Sequence, residues 1–121
     1  MQLLDAIPML ETDDVEGTAD FYVEKLGFKQ HGRFPGTGAM TWASLKRDRA
    51  QIMFSVREGG ARRAPVWTGA IYCHARDLER LWEELRDSVE VEQELKANAH
   101  GTPEFTIRDC NGYRLRFGES E

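Results

Sequence analysis

Residues able to carry out chemistry are few in this chain and widely separated. Three histidines and two cysteines occur in 121 residues. Cys73 and Cys110 match no zinc-binding spacing and are too sparse for a disulfide scaffold, so they read as reduced structural thiols. A cysteine or serine nucleophile needs a neighbouring base, and no spacing here announces one. Gly36-Thr37-Gly38 runs into a strand pattern, whereas a phosphate cradle of that kind needs a helix N-terminus. The residue types that remain are aromatic rings, imidazoles and arginines, which stack on and hydrogen-bond small molecules.

Composition narrows the class further. With 40% hydrophobic and 31% charged residues, the chain reads as one globular domain spanning 1–121, with enough apolar material for a single modest core. A net charge of −5 opposes a nucleic-acid footprint, which needs clustered Lys and Arg, and suits a neutral or cationic partner better. No apolar run reaches the roughly 18 residues of a membrane span. Residues 1–9 lack the basic start and cleavage pattern of a secretory signal, so a cytoplasmic location is expected.

The elements that would position any site follow from periodicity. Residues 4–11 read as a strand ending at the helix N-cap Asp14. Val15, Ala19, Tyr22 and Leu26 then form an apolar stripe on one helix face, stopped by Gly27. Strands are expected over 28–34, 40–45 and 51–56. After a polar, breaker-rich loop the pattern resumes with a strand over 67–74, a helix capped by Asp77 and carrying Leu78, Trp82 and Leu85, and strands over 89–95, 104–108 and 113–117. Asn111-Gly112 marks the last hairpin. The order β-α-β-β-β thus occurs twice, in modules 1–57 and 66–121. Sliding the chain by the 63 residues that separate Asp14 from Asp77 superposes Val15 on Leu78, Ala19 on Trp82, Tyr22 on Leu85 and Phe54 on Phe117. A lone module leaves its sheet with a single covered face, so two must pair.

This architecture resembles the vicinal-oxygen-chelate superfamily of glyoxalases, extradiol dioxygenases and bleomycin-resistance proteins. Three stretches carry the resemblance: Ile7-Pro8-Met9-Leu10 through Glu16, Asp20-Phe21-Tyr22 through Phe28, and Glu104-Phe105 through Phe117. They are most similar to the bleomycin-resistance branch, although Cys110 stands where proline is common in the closing turn. The resemblance implies an α+β fold in which two pseudo-symmetric modules form a curved, cup-shaped mixed sheet with helices on its outer face. It also implies a homodimer, in some relatives with exchanged N-terminal strands around a proline such as Pro8.

Metal-using members of that superfamily coordinate through the first and last strand of each module. Counting from the helix caps and the closing turn puts those positions at Ile7, Met53, Ala70 and Arg116, a set without an imidazole, carboxylate or thiolate. A slip of two residues brings in Met9, Tyr72 and His74, which adds one good ligand. The resemblance therefore implies no metal and no other cofactor here, and a cup lined by aromatic groups with a few polar anchors. Its candidate ligand-binding residues are Phe34, Trp42, Met53, Trp67, Tyr72, His74, His100, Glu104 and Arg116. Cys73 should point toward the helix layer, because strand residues alternate faces. Arg116 would need a partner, with Glu104, Glu11 or an acidic group of a ligand as the options.

The implied function is metal-independent sequestration of an aromatic or glycopeptide-like compound, in antibiotic resistance or self-protection, with neither nucleic acid nor membrane as partner. The alternatives are a glyoxalase-like lyase or isomerase, or a dioxygenase, with a shifted metal site, and a domain whose cup is filled by its own side chains.

Overall fold

Thr12 and Asp14 set the start of the first helix. The Thr12 hydroxyl accepts a hydrogen bond from Asp14 N at 3.1 Å, and the Asp14 carboxylate accepts from Gly17 N at 2.8 Å. This satisfies one of the backbone donors that a helix start leaves without a partner. At the other end Gly27 adopts φ 73°, a left-handed cap that costs a glycine little. Arg47 reinforces it by donating to the Leu26 carbonyl at 2.7 Å.

The computed structural model describes residues 1–57 and 68–120, and the chain divides into two compact units, Met1–Ala64 and Pro65–Glu121. The first contains β1 (Met9–Thr12), α1 (Val15–Leu26), β2 (Lys29–Phe34), β3 (Trp42–Arg47) and β4 (Ala50–Val56). Its sheet has the order β1-β4-β3-β2, with β1 parallel to β4 and the other pairs antiparallel. Val15, Ala19, Tyr22 and Leu26 of α1 are buried with Leu10, Ala43, Leu45, Ile52 and Phe54, and Tyr22 meets Phe54 and Phe28 at ring centroid distances of 5.1 and 5.3 Å.

The second unit repeats the plan. It contains β5 (Ile71–Ala75), α2 (Leu78–Leu85), β6 (Glu90–Ala97), β7 (Pro103–Arg108) and β8 (Arg114–Glu119), with sheet order β5-β8-β7-β6. Leu78 and Leu85 are buried with Phe105, Ile107, Leu115 and Phe117, and Trp82 packs on Phe105 at 5.1 Å. The repeat read from the sequence holds at the level of register. Met9 pairs with Met53 as Tyr72 pairs with Arg116, and Leu10 with Phe54 as Cys73 with Phe117. The partners of β3 and β7 fall one residue closer in sequence, Ser44 with Met53 against Thr106 with Arg116, so the closing hairpin of the second unit is one residue longer. Asp109 organises that hairpin by accepting from Asn111 N at 2.8 Å and Tyr113 N at 2.9 Å, with Gly112 at φ 87°.

Three local expectations are corrected. The first strand begins at Met9 instead of residue 4, because Pro8 has no N–H for the ladder and joins it only by accepting from Met53 N at 2.9 Å. Ile7 and Ala70 both lie just outside β1 and β5. Asp77 does not cap α2 with its side chain: it sits at φ 57° and makes no capping hydrogen bond. Glu119 of β8 performs that task across the sheet, accepting from the backbone N–H of Asp77 and Leu78, both at 3.1 Å. A carboxylate there also complements the positive end of the helix dipole.

Replacing Glu119 with Ala should therefore destabilise the second unit by about 1 kcal/mol, whereas Asp77→Gly, which relieves a left-handed side-chain position, should cost nothing or stabilise slightly. Urea denaturation of the two variants checks this. A loss from Asp77→Gly with none from Glu119→Ala would show that Asp77, not Glu119, supplies the cap.

Candidate functional site

Alternation along the strands of the second unit sends Ile71, Cys73, Phe105, Leu115 and Phe117 toward α2 and leaves Tyr72, His74, Glu104, Thr106, Arg116 and Gly118 on the opposite face. Register puts these six in direct contact distance. Arg116 lies between Tyr72 and Thr106, and Gly118 lies between His74 and Glu104.

The Tyr72 hydroxyl reaches diagonally across Gly118 to donate to Glu104 Oε2 at 2.6 Å. A glycine is required at that crossing, because a Cβ on residue 118 would overlap the Tyr72 hydroxyl. Glu104 is 9% exposed and Tyr72 46% exposed, so the tyrosine caps a buried carboxylate with its own rim in solvent. The Tyr72 and His74 rings meet edge to face at 5.3 Å. Arg116 donates from Nε to Thr106 Oγ1 at 3.0 Å. Among the described residues of this unit no ion pair joins Arg116 to Glu104. Of the options considered for Arg116, Glu104 is bonded to the Tyr72 phenol, and Arg116 is bonded to Thr106.

Beyond His74 the face opens into a pocket of about 450 Å³ lined by Tyr72, His74, Asn98, His100, Thr102 and the end of β8. Asn98 builds its far wall. Its side-chain oxygen accepts from His100 N at 2.8 Å and Thr102 N at 3.0 Å, and Gly101 completes the turn at φ 82°. His100 and Thr102 are thereby held at the rim opposite Tyr72 and His74.

The candidates in the first unit form a separate group. Phe34 and Trp42 are direct cross-strand partners. Phe34 is 65% exposed, and Trp42 is half-buried over Gly32, where a Cβ would lie 3.2 Å from its ring. Met53 pairs with Met9 and Ser44 on the face turned away from α1. Trp67 lies outside the described residues. Structure thus brings together Tyr72, His74, His100, Glu104 and Arg116 in one unit, and Phe34 with Trp42 in the other.

A family profile described as the Glyoxalase/Bleomycin resistance protein/Dioxygenase superfamily matches residues 7–117. The chain belongs to that superfamily. No curated protein sequence matches it, but many solved structures share its fold. The bleomycin resistance determinant encoded on transposon Tn5 is 24% identical, covering 98% of this chain and 99% of that one with a TM-score of 0.73. The bleomycin-binding protein from bleomycin-producing Streptomyces verticillus, complexed with copper(II)-bleomycin, is 21% identical over 100% and 99% with the same score. Lactoylglutathione lyase from Agrobacterium tumefaciens is 18% identical over 97% and 93%, with a TM-score of 0.71. At these identities the likeness establishes the fold.

Chelating superfamily members raise the question of a metal, and the side chains on the open faces do not fit one. The observed register puts Met9 opposite Met53 and Tyr72 opposite Arg116. Two thioethers are poor ligands for hard divalent cations, the phenol is engaged with Glu104, and a guanidinium repels a cation. Among the described residues no group of three or more His, Cys, Asp or Glu side chains is placed to hold a metal ion. Covalent chemistry at Cys73 is also disfavoured, since burial pushes its thiol up from its ordinary value and reduces the thiolate.

Sequence reasoning missed Asn98, Thr102, Thr106 and Gly118 of this site. Thr106 and Gly118 were invisible because their roles depend on register across β7 and β8. Asn98 had a readable signal, an asparagine closely followed by glycine, which marks a side-chain-organised turn.

The hydrogen bond to Glu104 holds the Tyr72 phenol above its ordinary value of 10.0; partial burial and the carboxylate's charge add to this, and Arg116 opposes it. Because the folded-state value is raised, this contribution to stability is present below about pH 10 and is lost as pH rises through the raised value. Ultraviolet difference titration, with Tyr72→Phe to assign the transition, should show Tyr72 ionising late and Glu104→Gln bringing it back toward 10.0. Ionisation at or below the ordinary value in the unaltered protein would contradict the geometry.

Proposed function

We propose that this chain is a metal-independent small-molecule binding protein of the bleomycin-resistance type, sequestering an aromatic or glycopeptide-like compound. The observation that carries the reading is the face around the Tyr72–Glu104 hydrogen bond. There the Tyr72–His74 ring pair and the His100 turn line a pocket of about 450 Å³, with an anchored arginine next to Tyr72 on the same face, a volume within the range of small-ligand sites. Likeness in fold to a bleomycin-binding protein and to a bleomycin resistance determinant supports the same reading, as does a donor set that suits hydrogen bonding and stacking better than chelation.

In this proposal residues 1–121 act as one domain made of modules 1–57 and 66–121, and Phe34, Trp42, Met53 and Trp67 contribute further ligand contacts. The working form is a cytoplasmic homodimer. Exposed Met1, Leu3, Leu4 and Met9 give the N-terminal segment apolar surface to bury against a second copy. Among the described residues no helix is long and apolar enough to cross a membrane.

Two measurements on the purified protein test the reading together. Elemental analysis should find no stoichiometric transition metal. Thermal unfolding against a compound panel that includes bleomycin should find a stabilising ligand, worth about 2.7 kcal/mol at 100 times its dissociation constant. Tightly held iron, zinc, nickel or manganese at one ion per chain would instead favour a glyoxalase-like or dioxygenase-like enzyme.

A further inference from the structure

Resting on the small-molecule reading above, we infer that the compound taken by the second unit carries a carboxylate, and that Arg116 grips it. The tethering of Arg116 is the starting observation. Its Nε is fixed by Thr106 Oγ1 at 3.0 Å, which leaves the four N–H bonds of the two terminal nitrogens without a protein acceptor among the described residues of this unit. A surface arginine that only needs hydration gains nothing from such a tether. A guanidinium meant to recognise a planar carboxylate does, because bidentate pairing requires the fork to be held in one plane.

The carboxylate that could have neutralised Arg116 is withheld. Glu104 sits on the same face, one residue pair along β8, and would be the natural partner for a guanidinium. Its Oε2 instead takes the Tyr72 hydroxyl at 2.6 Å, and Gly118 keeps the path between them clear. The protein thus satisfies its own buried acid with a neutral phenol and keeps the cation for something else. Half-burial of Arg116 makes an acidic partner worth more than it would be in bulk water.

Position supplies the second half of the argument. Tyr72 is the direct neighbour of Arg116 across β5 and β8, and it is also a wall of the pocket it shares with His74 and His100. A ring seated in that pocket against Tyr72 and His74 would carry a substituent toward the guanidinium. The chain's net charge of −5 is largely screened beyond about 8 Å at physiological ionic strength, and the two nearby acids are engaged, Glu104 with the Tyr72 hydroxyl and Glu119 with the start of α2. Sequence-level charge favoured a neutral or cationic partner; local geometry favours an aromatic acid.

Naphthoate and its uncharged counterpart naphthamide, titrated into the full-length protein and followed by backbone amide NMR, test the inference. Naphthoate should shift Tyr72, His74, Thr106 and Arg116 and bind about tenfold more tightly than the amide, and added salt should weaken the acid alone. Arg116→Gln should erase the preference while the amide still binds. Thr106→Val, which keeps the charge and removes the tether, should reduce the preference in part. If Arg116→Gln does not fold, the acid–amide comparison and its salt dependence in the unaltered protein decide the matter. Equal binding of acid and amide on this face would overturn the acidic-group inference and leave the small-molecule reading standing. Failure of both to shift any residue of the face would overturn the inference, and the compound panel described above would then decide the wider reading separately.

Discussion

Parallel pairing of the first and last strand in each module is the constraint on which the rest of the structure depends. It puts β4 and β8 in the interior of their sheets, and the connecting helix covers one face. Every side chain of these strands is thereby committed either to the helix or to the open face. Leu10 with Phe54, and Cys73 with Phe117, go to the helix; Met9 with Met53, and Tyr72 with Arg116, go to the open face. A slip of one residue would drive Arg116 in among Phe105, Leu115 and Leu85 and expose Phe117. Burying an unpaired guanidinium costs far more than a strand register can recover, so the register and the location of the site are one decision.

The two modules keep this frame and diverge on what it presents. Helix-side positions exchange volume while keeping their role: Tyr22 packs on Phe54 in the first unit, and where the repeat substitutes Leu85 for it, Trp82 takes over the aromatic contact with Phe105. Open-face positions change character altogether. The first unit presents two thioethers beside the Phe34–Trp42 pair, and the second presents a phenol, an imidazole, a carboxylate and a guanidinium. Directed hydrogen-bonding groups are thus concentrated on the second unit's open face, whereas the thioethers and exposed rings of the first offer adaptable apolar contact.

Much of this was legible in the chain. The apolar stripe from Val15 to Leu26, the glycine stop, the Asn-Gly hairpin and the repeat fixed the order of elements, because each rests on local periodicity or a single turn. Expectations failed where an outcome depends on residues distant in sequence. Asp77 looked like a cap because caps are usually local, yet Glu119, far along the chain, does the work. Ile7 and Ala70 looked like site positions because counting from the caps does not fix the register, which instead pairs Met9 with Met53 and Tyr72 with Arg116. Clustering of Tyr72, His74, Glu104 and Arg116 on one face followed from alternation once the strands were placed; which of them bond to one another did not.

Pairing within that cluster determines what the face can bind. Glu104 is the one buried carboxylate of the second unit's open face, and a buried carboxylate without donors is costly. Three donors lay within reach of its strand: Tyr72, His74 and Arg116. The bond to the phenol uses the space left by the missing Cβ at Gly118, which would overlap the Tyr72 hydroxyl. With glycine in place, the acid most able to ligate a cation is already hydrogen-bonded, and the arginine that would otherwise neutralise it is tethered to Thr106 instead. On this face the buried carboxylate is held by the phenol and the guanidinium by Thr106, and the first of these bonds uses the space left by the Cβ that Gly118 lacks.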